Sequence, residues 1–487
     1  MISIISLTTI LFGFLLSGKV LFQIIISVGL LSLAIILIKK TCNTTNPPFK
    51  IRLSLFLFST IFIIYPIFFK ENFAFVFKKI KTKETPTNAL NFCKTSGTIL
   101  YFYHNLQNVM TTPPQEYSSK KIKEISQKLD NPNQLPAENK IKPNIIVILS
   151  ESVFDVSQLP NIKISANPIK NILQDQKTTL ISPQFGGGTA NVEFEIITGF
   201  SNYFMQGKVP YNQSIHQKIP TIFSLFKESG YTVTAIHPYL RAMFNRASVY
   251  KYFGADKFIS IENMSNYEKT GSYVSAKSFT QEIIKQFNSI NEPQLIFALS
   301  MQNHFPFEKN RFKSNPIEIT SNLSQEVSDS FKTYINGIYL SDQSYLNLKE
   351  ELEKTTKPTI VIIYGDHLPL IDENFGMYKK LGFVPEYQSQ WSDQNYLKMY
   401  STPVSIWSNF ENSFDITTPA LSPNFLSLEI LKLANIPNKY QFKFLDYLKN
   451  TSTVLNQNLA PKFSPEQISD YELIQYDLLS GHQYFLE

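Results

Sequence analysis

Four short apolar segments, each followed directly by polar residues, constrain the fold of this chain more than any other feature of its sequence. They span residues 144–150, 231–236, 294–300 and 359–364. Their apolar residues are continuous rather than alternating, which is typical of strands that are buried on both faces of a parallel sheet. Helical patterns lie between the segments, for example at residues 221–229 and 336–353. We therefore predict an α/β fold with a mostly parallel sheet flanked by helices.

The polar residues that follow these segments are candidate site residues, namely Glu151, His237, His304, Asp366 and His367. Ligands of open α/β sheets bind outside the carboxyl ends of the strands, where these side chains would meet. Each residue also has a structural interpretation, because Asp366 and His367 could cap a helix, Glu151 could be solvated and His237 could hold a turn. The chain has six histidines, and the presence of three at strand ends favours an active site.

A glycine run precedes a helical pattern that begins near Thr189. The residues Gly186, Gly187 and Gly188 allow the backbone to adopt positive φ angles and to approach a ligand closely. A helix that begins here would direct its free N–H groups and positive dipole end at an anion such as a phosphoryl group. Thr189 has two interpretations, as the N-cap of this helix or as a nucleophile whose hydroxyl is activated by a metal ion. The run lacks the P-loop spacing, so ATP is not indicated.

The apolar excess of the chain is concentrated before residue 70. We predict two membrane helices within residues 2–38, with a turn near residue 18, and a third at residues 53–69. A cleavable signal peptide is the alternative for the first segment, but the basic n-region and the cleavage site are missing. The loop between the second and third helices is basic and carries no acid, with Lys39, Lys40, Lys50 and Arg52. This loop is therefore expected to be cytoplasmic, which makes everything after residue 69 extracytoplasmic, although basic residues at 78–83 favour the opposite orientation.

These patterns predict four regions in the chain. They are a transmembrane anchor at residues 1–70, an extracytoplasmic connector at 71–140, a catalytic domain at 141–440 and a C-terminal extension at 441–487. The net charge of +6 is modest for 487 residues and forms no dense basic stripe, so we expect no nucleic-acid partner. The two cysteines, Cys42 and Cys93, would lie on opposite sides of the membrane and are not expected to pair.

The motifs together resemble those of the lipoteichoic acid synthase-like phosphoglycerol transferases, which belong to the alkaline phosphatase and sulfatase superfamily. The matching phrases occur in the family's order across about residues 141–435. They are SESVFD at residues 150–155, GGGTANVEFE at 186–195, FNR at 244–246, SMQNH at 300–304 and GDHLP at 365–369. The set is specific, although each phrase alone would be a weak signal.

The resemblance implies a divalent metal ion, usually Mn²⁺, held by Glu151, Thr189, Asp366 and His367. Three oxygen ligands and one imidazole suit Mn²⁺ and leave Mg²⁺ or Zn²⁺ open. It implies that Thr189 attacks the phosphate of phosphatidylglycerol and releases diacylglycerol. The phosphoglycerol group would then pass to a hydroxyl of an envelope glycan or of a glycerol-phosphate polymer. The enzyme would be a multi-pass protein of the cell membrane, which is the inner membrane in bacteria that have two. Its catalytic domain would be extracytoplasmic or periplasmic.

The resemblance also implies that His237, Phe244, Arg246 and His304 bind the head group, with His304 as a general acid or base. The family often has Trp at the position of Phe244 and a polar group at that of Tyr239. A phosphoethanolamine transferase of the same superfamily therefore stays an alternative, as does a non-catalytic scaffold for envelope assembly. A sulfatase activity is disfavoured, because the cysteine or serine of its C-x-P-x-R motif is missing.

Overall fold

The computed structural model describes residues 113–129, 141–205, 207–411, 414 and 416–487, with a few isolated positions before residue 99. The chain divides into two compact units, Met1–Thr111 and Thr112–Glu487. Apart from a few isolated positions, the predicted membrane helices and much of the predicted connector lie outside the described residues. Among the residues that are described, no helix combines the length and the apolar character needed to cross a membrane.

The described part of the second unit contains twelve strands. In chain order they are β1 (Asn144–Ser150), β2 (Ile162–Ile164), β3 (Gln176–Ile181), β4 (Thr232–His237), β5 (Lys257–Ser260), β6 (Lys269–Thr270), β7 (Tyr273–Val274), β8 (Gln294–Leu299), β9 (Ile319–Ser321), β10 (Thr359–Gly365), β11 (Ser401–Ser408) and β12 (Ala420–Leu421).

Thirteen α-helices and several short 3-10 turns accompany these strands in the described residues. The helices are α1 (Ser119–Lys128), α2 (Lys170–Gln174), α3 (Thr189–Thr198), α4 (Pro210–Gln213), α5 (Ile222–Glu228), α6 (Arg246–Phe253), α7 (Ala276–Asn288), α8 (Gln325–Glu353), α9 (Gly376–Lys380), α10 (Asp393–Tyr400), α11 (Pro423–Leu433), α12 (Gln441–Lys449) and α13 (Pro465–Leu479).

Eight strands form one sheet in the order β12-β3-β11-β10-β1-β8-β4-β5. The strands from β10 to β5 pair in parallel. Strand β11 is antiparallel to both β10 and β3, so β3 runs in the same direction as β10. The predicted α/β fold with a mostly parallel sheet is thus confirmed. The strands β2 and β9, and likewise β6 and β7, form small antiparallel pairs beside the main sheet.

The four predicted strands are β1, β4, β8 and β10, and each differs from the prediction by at most one residue at either end. They are neighbours in the sheet, and every residue of β1, β8 and β10 is buried. Their continuous apolar runs therefore reflect helices on both faces. In β1, Ile145, Val147 and Leu149 belong to one core cluster, whereas Ile146 and Ile148 belong to the other. This alternation follows from the two-residue period of a strand.

Helix α1, near the start of the second unit, packs against α13, near its end. The Tyr117 hydroxyl donates a 2.6 Å hydrogen bond to Asp477, and Lys121 lies 3.1 Å from Asp470. Ile122 and Ile125 of α1 are buried in the same core cluster as the apolar residues of α12 and α13. Residues on both sides of the predicted catalytic domain thus contribute to one apolar core.

Candidate active site

The ends of β1 and β10 place two carboxylates side by side. These strands pair in parallel, with Ser150 opposite Gly365. Glu151 and Asp366 are the next residues along each strand and therefore meet at the carboxyl edge of the sheet. Gly365 is required here, because a Cβ atom at this position would overlap the backbone carbonyl of Val153.

Glu151, Asp366 and His367 form a buried cluster with the composition of a metal site. One ligand atom from each residue lies within 4.8 Å of the others. His367 Nε2 is 3.3 Å from Asp366 Oδ2 and 3.7 Å from Glu151 Oε1. Carboxylate oxygens together with an imidazole suit Mn²⁺, Mg²⁺ or Zn²⁺.

The two ring nitrogens of His367 have different environments, and this difference tests whether a metal fits. Nδ1 lies 3.0 Å from the carbonyl oxygen of Leu368, so it carries the proton and donates. Nε2 is buried, has no hydrogen-bond partner among the described residues and directs its lone pair toward the carboxylates. A buried imidazole whose other nitrogen is held by a carbonyl is the usual arrangement of a metal-bound histidine. The residues therefore fit a divalent metal ion.

Thr189 is the first residue of α3, and its hydroxyl points into this cluster. The N-cap of the helix is Gly188, with a left-handed φ of 87°, so the interpretation of Thr189 as the N-cap is wrong. Instead, Thr189 Oγ1 donates a 2.8 Å hydrogen bond to Asp366 Oδ2. The hydroxyl is thus oriented by the same carboxylate oxygen that faces His367 Nε2.

The glycine run brings the backbone before α3 against the loop that carries Asp366 and His367. The amide of Gly186 donates a 3.0 Å hydrogen bond to the carbonyl of Leu368. Gly186 has a φ of 67°, and a Cβ atom there would lie 2.8 Å from Leu370 Cβ. Only glycine satisfies both conditions, because other residues rarely adopt this φ and would collide with Leu370.

Ser152 connects the members of the cluster. Its hydroxyl donates a 2.7 Å hydrogen bond to Glu151 Oε1, and its amide donates a 2.8 Å bond to Asp366 Oδ1. The φ of Ser152 is 56°, and its carbonyl accepts a 2.8 Å bond from the Tyr334 hydroxyl. These bonds fix the orientation of both carboxylates before any ligand binds.

The electrostatics of the cluster favour a cation. Burial, and then the neighbouring Asp366 carboxylate, raise the pKa of Glu151 to about 7. His367 and the hydrogen bond from Ser152 act in the opposite direction without cancelling this effect. A divalent ion would compensate the two carboxylate charges and would favour the ionised form of Glu151.

His237 and Arg246 lie at the β4 side of the same edge. His237 is the last residue of β4, and its Nδ1 is buried without a hydrogen-bond partner among the described residues. Burial lowers the pKa of His237 well below its ordinary value, and the Arg246 guanidinium acts in the same direction. His237 is therefore a neutral imidazole near neutral pH.

Arg246 begins α6 and is buried in an ion pair with Glu193 of α3. Its Nε donates to Glu193 Oε2 at 3.3 Å, and its Nη2 contacts Oε1. The guanidinium carbon also lies 5.3 Å from the centre of the Phe244 ring. Phe244 itself has a left-handed φ of 54°, so the FNR phrase forms a sharp turn that carries the arginine inward.

His304 belongs to a row of rings that starts at His237. The ring centroids are 6.2 Å apart from His237 to Tyr239, 6.2 Å from Tyr239 to Tyr273 and 5.3 Å from Tyr273 to His304. His304 Nδ1 lies 2.7 Å from the carbonyl of Phe305 and 3.1 Å from the Tyr273 hydroxyl. Its Nδ1 therefore donates to that carbonyl, as Nδ1 of His367 donates to Leu368.

Comparison with known proteins assigns the family. A family model described as Sulfatase matches residues 143–436, which is more than half of the chain and includes every residue of the cluster.

The chain belongs to the sulfatase family.

Within this family, its relatives and the motifs above identify it as a lipoteichoic acid synthase-like member of the alkaline phosphatase and sulfatase superfamily. A Rhizobium meliloti protein named "Putative cyclic beta-1,2-glucan modification protein" is 34% identical over 411 residues, which cover 80% of this chain and 63% of that protein. Lipoteichoic acid synthase 1 of Bacillus subtilis is 26% identical over 181 residues, which cover 36% of this chain and 28% of the synthase. The chain thus spans less than two thirds of the length of these relatives.

Two solved structures share the fold of this sulfatase-family protein. A phosphoglycerol transferase of Streptococcus pyogenes, solved with sn-glycerol-1-phosphate, has a TM-score of 0.64 and 25% identity, and the match covers 77% of this chain and 97% of that one. A lipoteichoic acid synthase of Listeria monocytogenes has a TM-score of 0.52 and 13% identity, and the match covers 76% and 98% of the two chains.

The site of this sulfatase-family protein brings together the residues that the sequence singled out. Hydrogen bonds and close contacts connect Glu151, Thr189, Asp366 and His367. The second group, comprising His237, Phe244, Arg246 and His304, is connected through Arg246 and through the row of rings. Their roles as metal ligands and head-group ligands stay predictions.

Three residues that support the sulfatase-family site were missed by the sequence reasoning. They are Ser152, Glu193 and Tyr273, and each acts through a partner that is distant in sequence. Ser152 and Glu193 lie inside motif phrases, so the phrases themselves contained a signal. Tyr273 lies in the two-residue strand β7, and the sequence has no feature that distinguishes it from the other 24 tyrosines.

Proposed function

We propose that this protein is a membrane-anchored, metal-dependent phosphoglycerol transferase with an extracytoplasmic catalytic domain. In this proposal it moves phosphoglycerol from phosphatidylglycerol to a hydroxyl of an envelope glycan or polymer and releases diacylglycerol. The hydrogen bond from Thr189 to Asp366 within the Glu151–Asp366–His367 cluster is the observation that carries the proposal. The names of the relatives support a phosphoglycerol donor and a glycan acceptor.

Thr189 is the proposed nucleophile, and its immediate surroundings suit that role. Glu151, Asp366, His367 and the Thr189 oxygen itself would hold the metal ion, which would lower the pKa of the hydroxyl and compensate charge on the phosphoryl group. Asp366 Oδ2 already accepts the hydrogen bond from Thr189 Oγ1, so it orients the hydroxyl and can take its proton. The start of α3 would direct free backbone N–H groups toward the phosphoryl oxygens.

The proposed reaction consists of two displacements at phosphorus. In the first, the Thr189 oxygen forms a bond to phosphorus while the bond to the diacylglycerol oxygen breaks, and that oxygen takes up a proton. In the second, the oxygen of the acceptor hydroxyl forms the new bond, loses its proton and displaces Thr189. His304 would serve as the acid that protonates the diacylglycerol oxygen and then as the base that takes the proton of the acceptor hydroxyl. His237 and Arg246 would contact the phosphoglycerol head group.

The substrate experiment compares two labelled lipids. Detergent-purified full-length protein is incubated with phosphatidylglycerol or phosphatidylethanolamine, with and without Mn²⁺, and diacylglycerol release is measured. We expect Mn²⁺-dependent release from phosphatidylglycerol. Release from phosphatidylethanolamine alone would identify a phosphoethanolamine transferase and refute the head group. No release from either lipid would favour a scaffold.

The nucleophile is tested by two threonine variants of the same helix. Thr189→Ala removes the attacking oxygen, and we expect turnover to fall by about a thousandfold or more. Thr198→Ala is the matched control. Thr198 is the last residue of α3, and its hydroxyl donates a hydrogen bond to the carbonyl of Phe194 in the same helix. Turnover of the control is expected to stay within about twofold of wild type, since loss of this local bond affects stability rather than chemistry. Equal turnover of Thr189→Ala and wild type would exclude Thr189 as nucleophile.

A further inference from the structure

The buried ion pair between Glu193 and Arg246 connects the helix of Thr189 to the residue proposed to contact the phosphate. Glu193 follows Thr189 by four residues on α3, so both side chains project from the same face of the helix. The side chains of Arg246 and Glu193 are 2% and 0% exposed. At this burial, each charge depends on the other for its stability.

The Glu193 carboxylate has hydrogen-bond donors besides Arg246. The Tyr250 hydroxyl donates to Glu193 Oε2 at 2.6 Å, and the Tyr211 hydroxyl lies 3.3 Å from the same oxygen. Burial and, to a smaller extent, the charge of Glu193 raise the pKa values of Tyr211 and Tyr250 well above the ordinary value for tyrosine. Both hydroxyls therefore stay protonated and can donate. This set of donors is suited to an ionised carboxylate that stays beside Arg246 throughout the reaction.

The ion pair with Glu193 changes the net charge that Arg246 presents to a substrate. A divalent ion would balance the charges of Glu151 and Asp366, and His237 is neutral. Arg246 is balanced by Glu193, so these side chains and the divalent ion together sum to about zero charge before the substrate arrives. The guanidinium still presents N–H donors, but it lacks the excess positive charge that a second negative charge on the phosphate would require.

We propose that Glu193 is a specificity-determining residue, which makes the site favour phosphodiester monoanions over phosphomonoester dianions by neutralising Arg246. The proposal rests on the proposed function for the position of the phosphate beside Arg246. It identifies the substrate class by charge: a diester such as a glycerophospholipid binds and reacts, whereas free glycerol phosphate and inorganic phosphate are poorly retained.

The first test measures kcat/KM of full-length protein in detergent with Mn²⁺ on bis(p-nitrophenyl) phosphate and on p-nitrophenyl phosphate. Glu193→Gln keeps a hydrogen-bond acceptor beside Arg246 but removes the negative charge. We expect the ratio of diester to monoester kcat/KM to fall by about tenfold, since a unit charge a few ångströms from the phosphate is worth at least this factor at the effective dielectric constant near a protein surface. An unchanged ratio would overturn the proposal.

The control is Glu195→Gln, which removes a second buried carboxylate from the same helix. Glu195 accepts hydrogen bonds from Asn202 and Ser201 rather than from Arg246. We expect Glu195→Gln to keep the ratio of diester to monoester kcat/KM within about twofold of wild type. The substitution changes local hydrogen bonds of Glu195 and leaves the charge at Arg246 unaltered. A fall equal to that of Glu193→Gln would assign the effect to helix distortion and refute the role of charge.

A double variant separates charge from structure and also applies if Glu193→Gln fails to fold. Glu193→Gln with Arg246→Gln removes both charges and leaves no unpaired ion. Both rates should fall, but the ratio should stay within about threefold of wild type, because the net charge around the phosphate is unchanged. Loss of the diester preference in this variant would show that the ion pair acts through position and not through charge balance.

Binding provides a readout that is independent of turnover. Calorimetric titration of Mn²⁺-loaded protein with dimethyl phosphate and with methyl phosphate at pH 8 compares a monoanion with a dianion. Glu193→Gln should improve methyl phosphate binding relative to dimethyl phosphate by about tenfold. If lipid transfer fails while this selectivity is present, the proposed function is refuted and the role of Glu193 stands. If wild type binds both ligands equally, the role of Glu193 is refuted.

Discussion

At the scale of single residues, the chemistry of this site depends on which polar atoms have partners and which do not. His367 has one nitrogen fixed by a carbonyl and one that is buried without a partner among the described residues. Leaving a buried nitrogen unpaired costs about 1–3 kcal/mol, and a bound metal ion would remove this cost. Thr189 is held toward the same point by Asp366.

Replacement of His367 should therefore abolish stable metal binding. We expect His367→Ala, purified and dialysed against metal-free buffer, to hold less than about a tenth of the metal of wild type, because removal of one ligand from a three- or four-ligand site weakens binding by at least this factor. Elemental analysis measures the metal content. His216→Ala, which replaces an exposed histidine outside the cluster, is the control and should keep its metal. Full retention in His367→Ala would contradict the ligand assignment.

Glu195 should make the stability of the protein depend on pH. Burial raises its pKa in the folded protein to about 7, above the ordinary value of 4.5. The folded state thus binds this proton more tightly, so its contribution to stability is complete below about pH 4.5 and is lost as pH rises through 7. Thermal unfolding between pH 5 and 8 should show wild type losing up to about 3 kcal/mol from this group. Glu195→Gln should show a smaller loss, and an equal loss in both proteins would contradict this assignment.

At the scale of elements, α3 is held in place by the glycines that flank it. Gly188 and Gly199 both have left-handed φ angles, 87° and 67°. Gly199 also lets the end of the helix approach α12, since a Cβ atom there would lie 2.8 Å from the Phe442 ring. The position of Thr189 is thus set by packing at both ends of its helix.

Crowding at Gly199 can be separated from backbone strain by comparing two glycines. Gly199→Ala introduces both effects and should lower the free energy of unfolding by about 2–4 kcal/mol. Gly207 has a φ of 78° but open space around its Cβ position, so Gly207→Ala should cost about 1–2 kcal/mol from strain alone. Denaturant unfolding measures both values. Equal losses would show that the approach of α3 to α12 tolerates an added methyl group.

The elements that the sequence predicts well are those in which one physical signal dominates. Strands β1, β8 and β10 are buried on both faces, so their apolar runs are unambiguous. Strand β11 has the sequence STPVSIWS, in which polar residues and Pro403 conceal the strand although it is mostly buried. The antiparallel pairing of β11 with β3 therefore could not be predicted.

The same difference separates the predicted site residues from those that were missed. Glu151 and Asp366 could be predicted because the topology of a parallel sheet brings strand ends together. The pairing of Glu193 with Arg246 could not, because the two residues are 53 positions apart and meet only in the folded protein. Burial of a charged pair has no local signature in a sequence.

At the scale of the whole molecule, the described second unit is completed by segments from both sides of the catalytic region. Helices α12 and α13 contribute to the apolar core, and α1 packs on α13. Tyr117 is central to this contact, because its hydroxyl donates to Asp477 and accepts from the amide of His482.

Loss of the Tyr117 hydroxyl should weaken this contact without affecting the reaction. We expect Tyr117→Phe to lower the free energy of unfolding by about 1–2 kcal/mol, because the Asp477 carboxylate and the His482 amide each lose a partner. Turnover at 25 °C should match wild type. Tyr387→Phe removes a hydroxyl from a side chain that is 66% exposed and is the control for the substitution itself. A large loss of turnover in Tyr117→Phe would connect this contact to the active site.

The pairing of α1 with α13 also determines how the unit responds to a mechanical load. A pull on the chain at residue 112 would be transmitted first to the bonds from Tyr117 to Asp477 and from Lys121 to Asp470. Tyr117 lies just before α1, and the buried Ile122 and Ile125 of α1 would share the force with these bonds. The strand ends that carry Glu151 and Asp366 belong to other elements. We therefore expect a load applied at residue 112 to act on this helix pair before it reaches the catalytic residues.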